Sequence, residues 1–143
     1  MKIGLLGAGR IGSFHAQTLA SQADVTELRI TDVDAGRAKS VAEQVGAGTA
    51  SGADELARWA DAIVIAASTD THADLITLGA EAGLPVFCEQ TITLDLEPPD
   101  RVQARVNATG TPLHNGLQPK TDPGFTDPPA FFAPGPPGRY HMA

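Results

Sequence analysis

Short apolar runs alternate with longer amphipathic segments over residues 1–116 of this chain. An apolar run of about five residues predicts a strand, and a segment of about 10 residues with an apolar stripe at helical spacing predicts a helix. The run AIVIA at 62–66 is apolar on both faces, as a strand inside a parallel sheet is. The predicted strands are 2–6, 27–31, 48–50, 62–66, 85–88 and 111–115, and the predicted helices are a run from the glycines at 7–12 to about residue 23, then 35–45, 53–59, 72–82 and 98–109.

This alternation predicts an α/β fold with a doubly wound parallel sheet of the Rossmann type, because a helical crossover joins two parallel strands. Residues 1–116 are expected to form that domain, and the alternation stops over residues 117–143. Apart from Pro85, the 11 prolines all lie at or after residue 98. Proline lacks an N–H donor and fixes φ, so the proline-rich C-terminal tail is predicted to be irregular.

Polar residues and glycines mark the ends of two predicted helices. Asp34 is predicted to be the N-cap of the helix that runs to Val45, and Gly46 is placed to end it. Thr71 is predicted to cap the helix that begins at His72.

Composition excludes several classes of function. The chain has 143 residues, of which 42% are hydrophobic, and its 17 acidic and 10 basic residues give a net charge of −7. That charge argues against nucleic acid or an anionic membrane as a partner. No apolar run approaches the roughly 20 residues that span a bilayer. The single cysteine, Cys88, excludes an internal disulfide and favours a reducing, cytoplasmic location. The four histidines show no metal-ligand spacing, so no metal site is predicted.

The first candidate site is the sequence GAGRIG at 7–12, which follows a predicted strand and begins a helix. Gly7 would make the tight turn, Gly9 would let a pyrophosphate approach the backbone, and Gly12 would let the helix and strand pack closely. Asp32 follows the second strand, where a carboxylate accepts hydrogen bonds from a ribose diol and repels a 2′-phosphate. This pattern favours NAD over NADP. Asp34 strengthens that preference, and Arg37 weakens it by offering a partner to a phosphate. The alternative is a tight turn with a solvated acid.

The second candidate site follows the strands at 62–66 and 85–88, at the sheet edge where open α/β sheets bind ligands. His72 is either a surface residue at the start of a helix or a substrate contact, and its spacing favours the surface. Glu89 is either solvated or close to the ribose of a nicotinamide.

These motifs together resemble the glucose–fructose oxidoreductase and inositol 2-dehydrogenase family. The similarity is carried by MKIGLLGAGRIGSFHAQTLA at 1–20, TDVD at 31–34, STDTHADL at 68–75 and LPVFCEQTITLDL at 84–96, and it continues through NGLQ at 115–118 and DPGF at 122–125. The resemblance implies an NAD- or NADP-binding first domain, a second α/β domain with much of the substrate site, and hydride exchange with a polyol or sugar. By this resemblance the cofactor-binding residues are Gly7, Gly9, Arg10, Ile11, Gly12, Asp32, Thr69, His72 and Glu89, and the substrate-side residues are Gln90 and Gln118.

The chain also departs from the family pattern. Where the family has Lys-Pro after the glutamate, this chain has Gln90-Thr91, and an amide cannot carry the charge or the proton that the lysine handles. The chain ends at residue 143, before the family's aspartate and histidine, so no catalytic residue is assigned. Oligomerisation through the second domain is not expected.

Three hypotheses about function stay open at this point. The first is an NAD-dependent oxidoreductase of the inositol or sugar dehydrogenase type, catalytically impaired in this short chain. The second is a non-catalytic module that binds NAD, and the third is a decayed fragment without activity. Whether the chain is an enzyme is therefore left undecided by its sequence.

Overall fold

The computed structural model describes residues 1–89, 104, 107–110 and 112–115. Strands and helices alternate, as the hydrophobic pattern predicts. In chain order the elements are β1 (Lys2–Leu6), α1 (Arg10–Ala20), β2 (Glu27–Thr31), α2 (Ala35–Val45), β3 (Gly48–Thr49), α3 (Ala53–Trp59), β4 (Ala62–Ile65), α4 (His72–Glu81), β5 (Val86–Cys88) and β6 (Leu113–Asn115), with a 3-10 turn at Thr69–Thr71 before α4.

The six strands of the described residues form one parallel sheet in the order β3-β2-β1-β4-β5-β6. The chain winds outward from β1 to β3, and then crosses to the other side of β1 to make β4, β5 and β6. The strand order therefore reverses between β1 and β4, which is where doubly wound folds bind ligands. The predicted α/β fold with a doubly wound parallel sheet is confirmed.

Helices cover both faces of the sheet. Successive side chains of a strand point to opposite faces, so an apolar strand needs a hydrophobic cluster on each side. On β4, Val64 packs into the cluster that α1 and α2 cover, whereas Ile63 and Ile65 pack into the cluster that α3 and α4 cover. Leu19 on α1 and Ile76 on α4 fill these two clusters from their respective sides. Two hydrophobic layers thus hold the sheet and fix the loops at its edges.

The predicted ends of α2 are confirmed. The side chain of Asp34 accepts a hydrogen bond from the backbone N–H of Arg37 at 3.0 Å, and Gly46 adopts a left-handed conformation with φ of 70°. Thr71 occupies the predicted N-cap position of α4, but its side chain makes no capping hydrogen bond. Its backbone is already helical, with φ of −100° and ψ of −6°, whereas a capping residue is extended, and its hydroxyl donates to the carbonyl oxygen of Ser68 at 2.8 Å.

Some predicted bounds are too long or lie outside the described residues. The helix α1 ends at Ala20 rather than near residue 23, and β4 ends at Ile65 rather than at residue 66. Of the helix predicted at 98–109, residues 104 and 107–109 are described and helical. The proline-rich tail at 117–143 and the two residues Gln90 and Gln118 lie outside the described residues.

Candidate functional site

Four loops that carry the predicted site residues meet at one edge of the sheet. In the parallel register, Leu6 at the end of β1 is level with Thr31 on β2 and with Ile65 on β4, and Ile65 is level with Cys88 on β5. The segments that follow these strands begin at residues 7, 32, 66 and 89. They therefore lie side by side across the point where the strand order reverses.

The first glycine of the loop makes the predicted tight turn. Gly7 has a φ of 102°, a conformation that side-chain-bearing residues rarely adopt. A Cβ on Gly7 would lie 2.5 Å from the carbonyl oxygen of Ala66, so the loop after β1 is pressed against the loop after β4. Its N–H donates to the carbonyl oxygen of Thr31 at 2.8 Å, which ties the turn to β2.

The other two glycines have different surroundings. A Cβ on Gly12 would lie 2.1 Å from the carbonyl oxygen of Gly7, so this position lets α1 approach the loop closely, as predicted. A Cβ on Gly9 would meet no heavy atom of the described residues within 4 Å. Gly12 is thus needed by the protein's own packing, whereas the space above Gly9 is open to a ligand.

The N-terminus of α1 faces this open space. Gly9 is its N-cap, and within the described residues the helix has neither a side-chain cap nor an acidic residue in its first turn. The first N–H groups of a helix have no acceptor inside it, and they carry a partial positive charge. Arg10 is exposed in that first turn, and Ile11 is half-buried. The arrangement can bind an anionic group such as a pyrophosphate.

Asp32 is held rigidly beside the glycine loop. One carboxylate oxygen accepts from the N–H of Ala8 at 2.7 Å, and the other accepts from the N–H of Asp34 at 2.8 Å. The side chain is 6% exposed. The guanidinium of Arg37 lies 3.6 Å from Asp32 and 3.7 Å from Asp34, so two carboxylates bracket this cation. Each carboxylate oxygen has a second lone pair, which leaves Asp32 able to accept from a diol.

His72 is an internal residue, and its interpretation as a surface residue is wrong. It is 2% exposed at the start of α4. Its Nε2 lies 3.0 Å from the carbonyl oxygen of Ala67, which can only accept, so Nε2 carries the proton. In a neutral ring Nδ1 is then the acceptor, and it faces the thiol of Cys88 at 3.5 Å. His72 therefore joins the loop after β4 to the end of β5.

The loop held by His72 exposes polar groups at the sheet edge. Thr69 begins the 3-10 turn and is exposed. The Ser68 hydroxyl, by hydrogen bonding to the carboxylate of Asp70, holds the pKa of Asp70 below its ordinary value. The exposed face of this turn can thus offer a hydroxyl and a carboxylate to a ligand.

Glu89 is enclosed, so its interpretation as a solvated residue is wrong. Its carboxylate pairs with the Nε2 atom of His15 on α1, and the two side chains are 11% and 16% exposed. His15 was not among the residues predicted for the site. The signal available was its position three residues after Gly12, which places both on one face of α1. The buried face of that helix contains Gly12, Ala16 and Leu19.

Two further features of the described residues concern metal binding and membrane insertion. Within the part of the chain that the structure describes, no group of three or more His, Cys, Asp or Glu residues could hold a metal ion. Among the same residues, no helix is long and apolar enough to cross a membrane.

Comparison with known proteins identifies relatives of the whole described region. The model of the Gfo/Idh/MocA family, an oxidoreductase family with an NAD-binding Rossmann fold, matches residues 1–117. Inositol 2-dehydrogenase from Rhizobium meliloti (strain 1021) is 39% identical over 126 residues, which cover 87% of this chain and 38% of that protein.

Solved structures are similar over the same region. A myo-inositol dehydrogenase from Corynebacterium glutamicum ATCC 13032 is similar with a TM-score of 0.76 and 37% identity, over 87% of this chain and 38% of that chain. UDP-N-acetylglucosamine 3-dehydrogenase from Acidithiobacillus ferrooxidans has a TM-score of 0.72 and 29% identity, over 81% and 36% of the two chains. The chain spans little more than a third of the length of each of these relatives.

Proposed function

This chain belongs to the Gfo/Idh/MocA oxidoreductase family, and we propose that residues 1–116 bind NAD as the cofactor domain of an inositol dehydrogenase-like enzyme. The observation that carries this proposal is the open space above Gly9, at the uncapped N-terminus of α1 and beside Asp32. Gly7 and Gly12 must lack a side chain because a Cβ at either position would meet the backbone. No described residue imposes this requirement on Gly9, and a bound pyrophosphate would explain why glycine stands there.

The pyrophosphate fits the glycine loop on electrostatic grounds. The first-turn N–H groups of α1 would donate to its oxygens, and the partial positive charge of the helix end would stabilise its negative charge. Gly9, Arg10, Ile11 and Gly12 supply these N–H groups, and Gly7 turns the chain so that they point away from β1. When bound, NAD would supply a nicotinamide able to exchange a hydride with a hydroxyl-bearing carbon.

The surroundings of Asp32 favour NAD over NADP. Its carboxylate would accept the hydroxyls of the adenosine ribose, and together with Asp34 it would repel a 2′-phosphate. From the sequence, Arg37 was a possible partner for such a phosphate. In the fold its guanidinium lies near both acids, which reduces its availability to another anion.

The nicotinamide half of the cofactor is assigned to the other side of the reversal point. Thr69 is exposed on the loop after β4, and Glu89 lies at the end of β5. We assign Thr69 to direct contact and His72 to the support of that loop, because both ring nitrogens of His72 face protein atoms. Gln90 and Gln118 are proposed to lie on the substrate side.

The substrate class is proposed from the relatives. Two of them are named inositol dehydrogenases, and one is named for the dehydrogenation of a sugar nucleotide. A polyol or sugar hydroxyl is common to these substrates. We propose that residues 117–143 begin a second domain that would contact it.

We further infer that residues 1–143 alone turn over little substrate. Gln90 stands where the family resemblance places a lysine, and general acid–base catalysis contributes about 10²- to 10⁴-fold to rate. This residue also supports the second candidate function, a module that binds NAD without catalysis. Assay with NAD and inositol tests both, since turnover by the 143-residue chain would contradict the inference and the second candidate alike.

Two further proposals concern the setting of the protein. Cys88 is buried and is the single cysteine of the sequence, so it cannot form a disulfide within the chain, which fits a reducing cytoplasm. The proposed partners of the protein are the dinucleotide and a polyol or sugar. Neither nucleic acid nor a membrane is proposed as a partner.

Calorimetric titration of the purified chain with NADH tests the proposed function. We expect saturable binding at one site, weaker binding of NADPH, and an increase in the melting temperature on addition of NADH, because a ligand that binds the folded state stabilises it. Absence of both heat and thermal stabilisation at millimolar NADH would contradict the proposal.

A further inference from the structure

We propose that His15 is a positioning residue that holds the carboxylate of Glu89 for a hydroxyl of the nicotinamide half of the dinucleotide. This inference rests on the proposed function, because it deepens the assignment of that site. It adds a residue of α1 to the half of the site that the loop after β4 and Glu89 form.

The backbone of Glu89 is fixed by the sheet. It follows β5 directly, and its N–H donates to the carbonyl oxygen of Ile65 at 3.1 Å, which continues the β4–β5 ladder by one residue. Only the side-chain torsions of Glu89 remain to be set. The contact with His15 sets them.

His15 is itself held by ring contacts. Its imidazole is edge-on to the ring of Phe87 on β5, with ring centroids 5.9 Å apart, and edge-on to Phe14 with centroids 6.0 Å apart. Phe87 is buried, so one of these contacts belongs to the core. These contacts orient the ring independently of the carboxylate, and its Nε2 points at Oε2 of Glu89.

The hydrogen bond from His15 compensates for the enclosure of the Glu89 carboxylate. A carboxylate removed from water is costly unless a donor satisfies it. The pairing leaves Oε1, the second oxygen of the carboxylate, to accept from a ligand, because an ionised carboxylate accepts at both oxygens. Without His15 the side chain would be free to turn toward water and away from the site.

Strand order connects this pair to the second half of a dinucleotide. Asp32 follows β2, the glycine loop follows β1, and Glu89 follows β5, in the spatial order β2-β1-β4-β5. Three strand spacings separate β2 from β5, which is about 14 Å. A dinucleotide with its adenosine ribose at Asp32 and its pyrophosphate above Gly9 continues toward β4 and β5, where Glu89 lies.

The test compares a whole dinucleotide with a fragment that lacks its nicotinamide half. His15→Leu removes the donor, and His15→Gln keeps an amide nitrogen near the position of Nε2. We expect His15→Leu to raise the Kd of NADH about tenfold, the size of one lost hydrogen bond to a charged group, while the Kd of ADP stays the same. His15→Gln should recover most of the NADH affinity.

A matched control and a double variant separate positioning from general damage to the helix. Gln17→Leu places the same side chain at an exposed position of α1 and should change neither Kd. In a Glu89→Leu background there is no carboxylate to hold, so adding His15→Leu should cause no further loss. Additive losses from the two substitutions would overturn the proposal.

The remaining outcomes are equally decisive. Equal weakening of NADH and ADP by His15→Leu would show a structural role for His15 and overturn the proposal. Unchanged NADH affinity would overturn it as well. Failure of the unaltered chain to bind either ligand would instead contradict the proposed function itself, so the two failures are distinguishable.

Discussion

Two glycines of one loop provide a direct test of where the fold ends and the ligand site begins. Gly9 and Gly12 lie three residues apart at the start of α1, and each can be replaced by alanine. The added methyl group meets open space at Gly9 and a backbone carbonyl at Gly12. We expect Gly9→Ala to affect the ligand and Gly12→Ala to affect the protein.

The contact distances set the size of each effect. The Cβ of Gly12→Ala would lie 2.1 Å from the carbonyl oxygen of Gly7, and a normal C···O contact is about 3.3 Å, so the loop and helix must separate by about 1.2 Å. Overpacking of this kind costs about 3 kcal/mol, which lowers the melting temperature of a chain this size by roughly 10 °C. Gly9→Ala should cost less, about 1 kcal/mol, because the added methyl group meets no described atom and the loss is only that of a poorer N-cap residue.

Thermal unfolding and NADH titration together complete the experiment. Gly9→Ala should lower the melting temperature by only about 3 °C. It should lose at least about tenfold in NADH affinity, because its methyl group occupies the space assigned to the pyrophosphate. Unchanged NADH affinity in Gly9→Ala would refute the location of the site. A large loss of stability in Gly9→Ala would refute the reasoning about the open space.

Three further predictions concern the other loops of the same edge. Asp32→Ala should reduce the preference for NADH over NADPH about tenfold or more, measured as the ratio of the two Kd values; an unchanged ratio would refute the assigned role. His72→Ala should lower the free energy of unfolding by about 3 kcal/mol in urea titration, because it creates a cavity and leaves the carbonyl of Ala67 without its donor; a loss below about 1 kcal/mol would contradict the buried hydrogen bond. The Ser68 hydroxyl holds the pKa of Asp70 below its ordinary value, so the stabilisation of this carboxylate is present above the ordinary pKa and is lost as pH falls through the lowered one. Ser68→Ala should therefore move the titration of Asp70 to higher pH, as followed by NMR of its side chain, and an unmoved titration would show that another group causes the shift.

The strands and helices of this fold could be predicted because their signals are local. The apolar run before the glycine loop and the caps of α2 depend on residues a few positions apart. Asp34 and Gly46 behave as their residue types predict, because an N-cap acceptor and a left-handed C-terminal residue satisfy backbone groups within one helical turn. Thr71 makes no such bond with its side chain, because its backbone has the helical conformation of the preceding 3-10 turn and not the extended conformation of a capping residue.

The interior of the site could not be predicted because its contacts are distant in sequence. Glu89 pairs with a residue 74 positions earlier, and Asp32 accepts from an N–H 24 positions earlier. Spacing alone favoured the surface for His72 and left Glu89 either solvated or close to a ribose. Only the folded chain brings His72 against Ala67 and Cys88, and Glu89 against His15.

The same segment of chain supports both acids of the candidate site. The N–H of Ala8 holds Asp32 after β2, and His15 holds Glu89 after β5, so the loop and first turns of α1 orient a carboxylate on each side of the open space above Gly9. A displacement of α1 should therefore weaken both halves of a dinucleotide, whereas loss of one anchor should weaken one half. Gly12→Ala displaces the helix and is expected to reduce the affinity for both ADP and NADH, which distinguishes it from His15→Leu in the same titrations. If Gly12→Ala weakened NADH alone, α1 would not be the common support of the two acids.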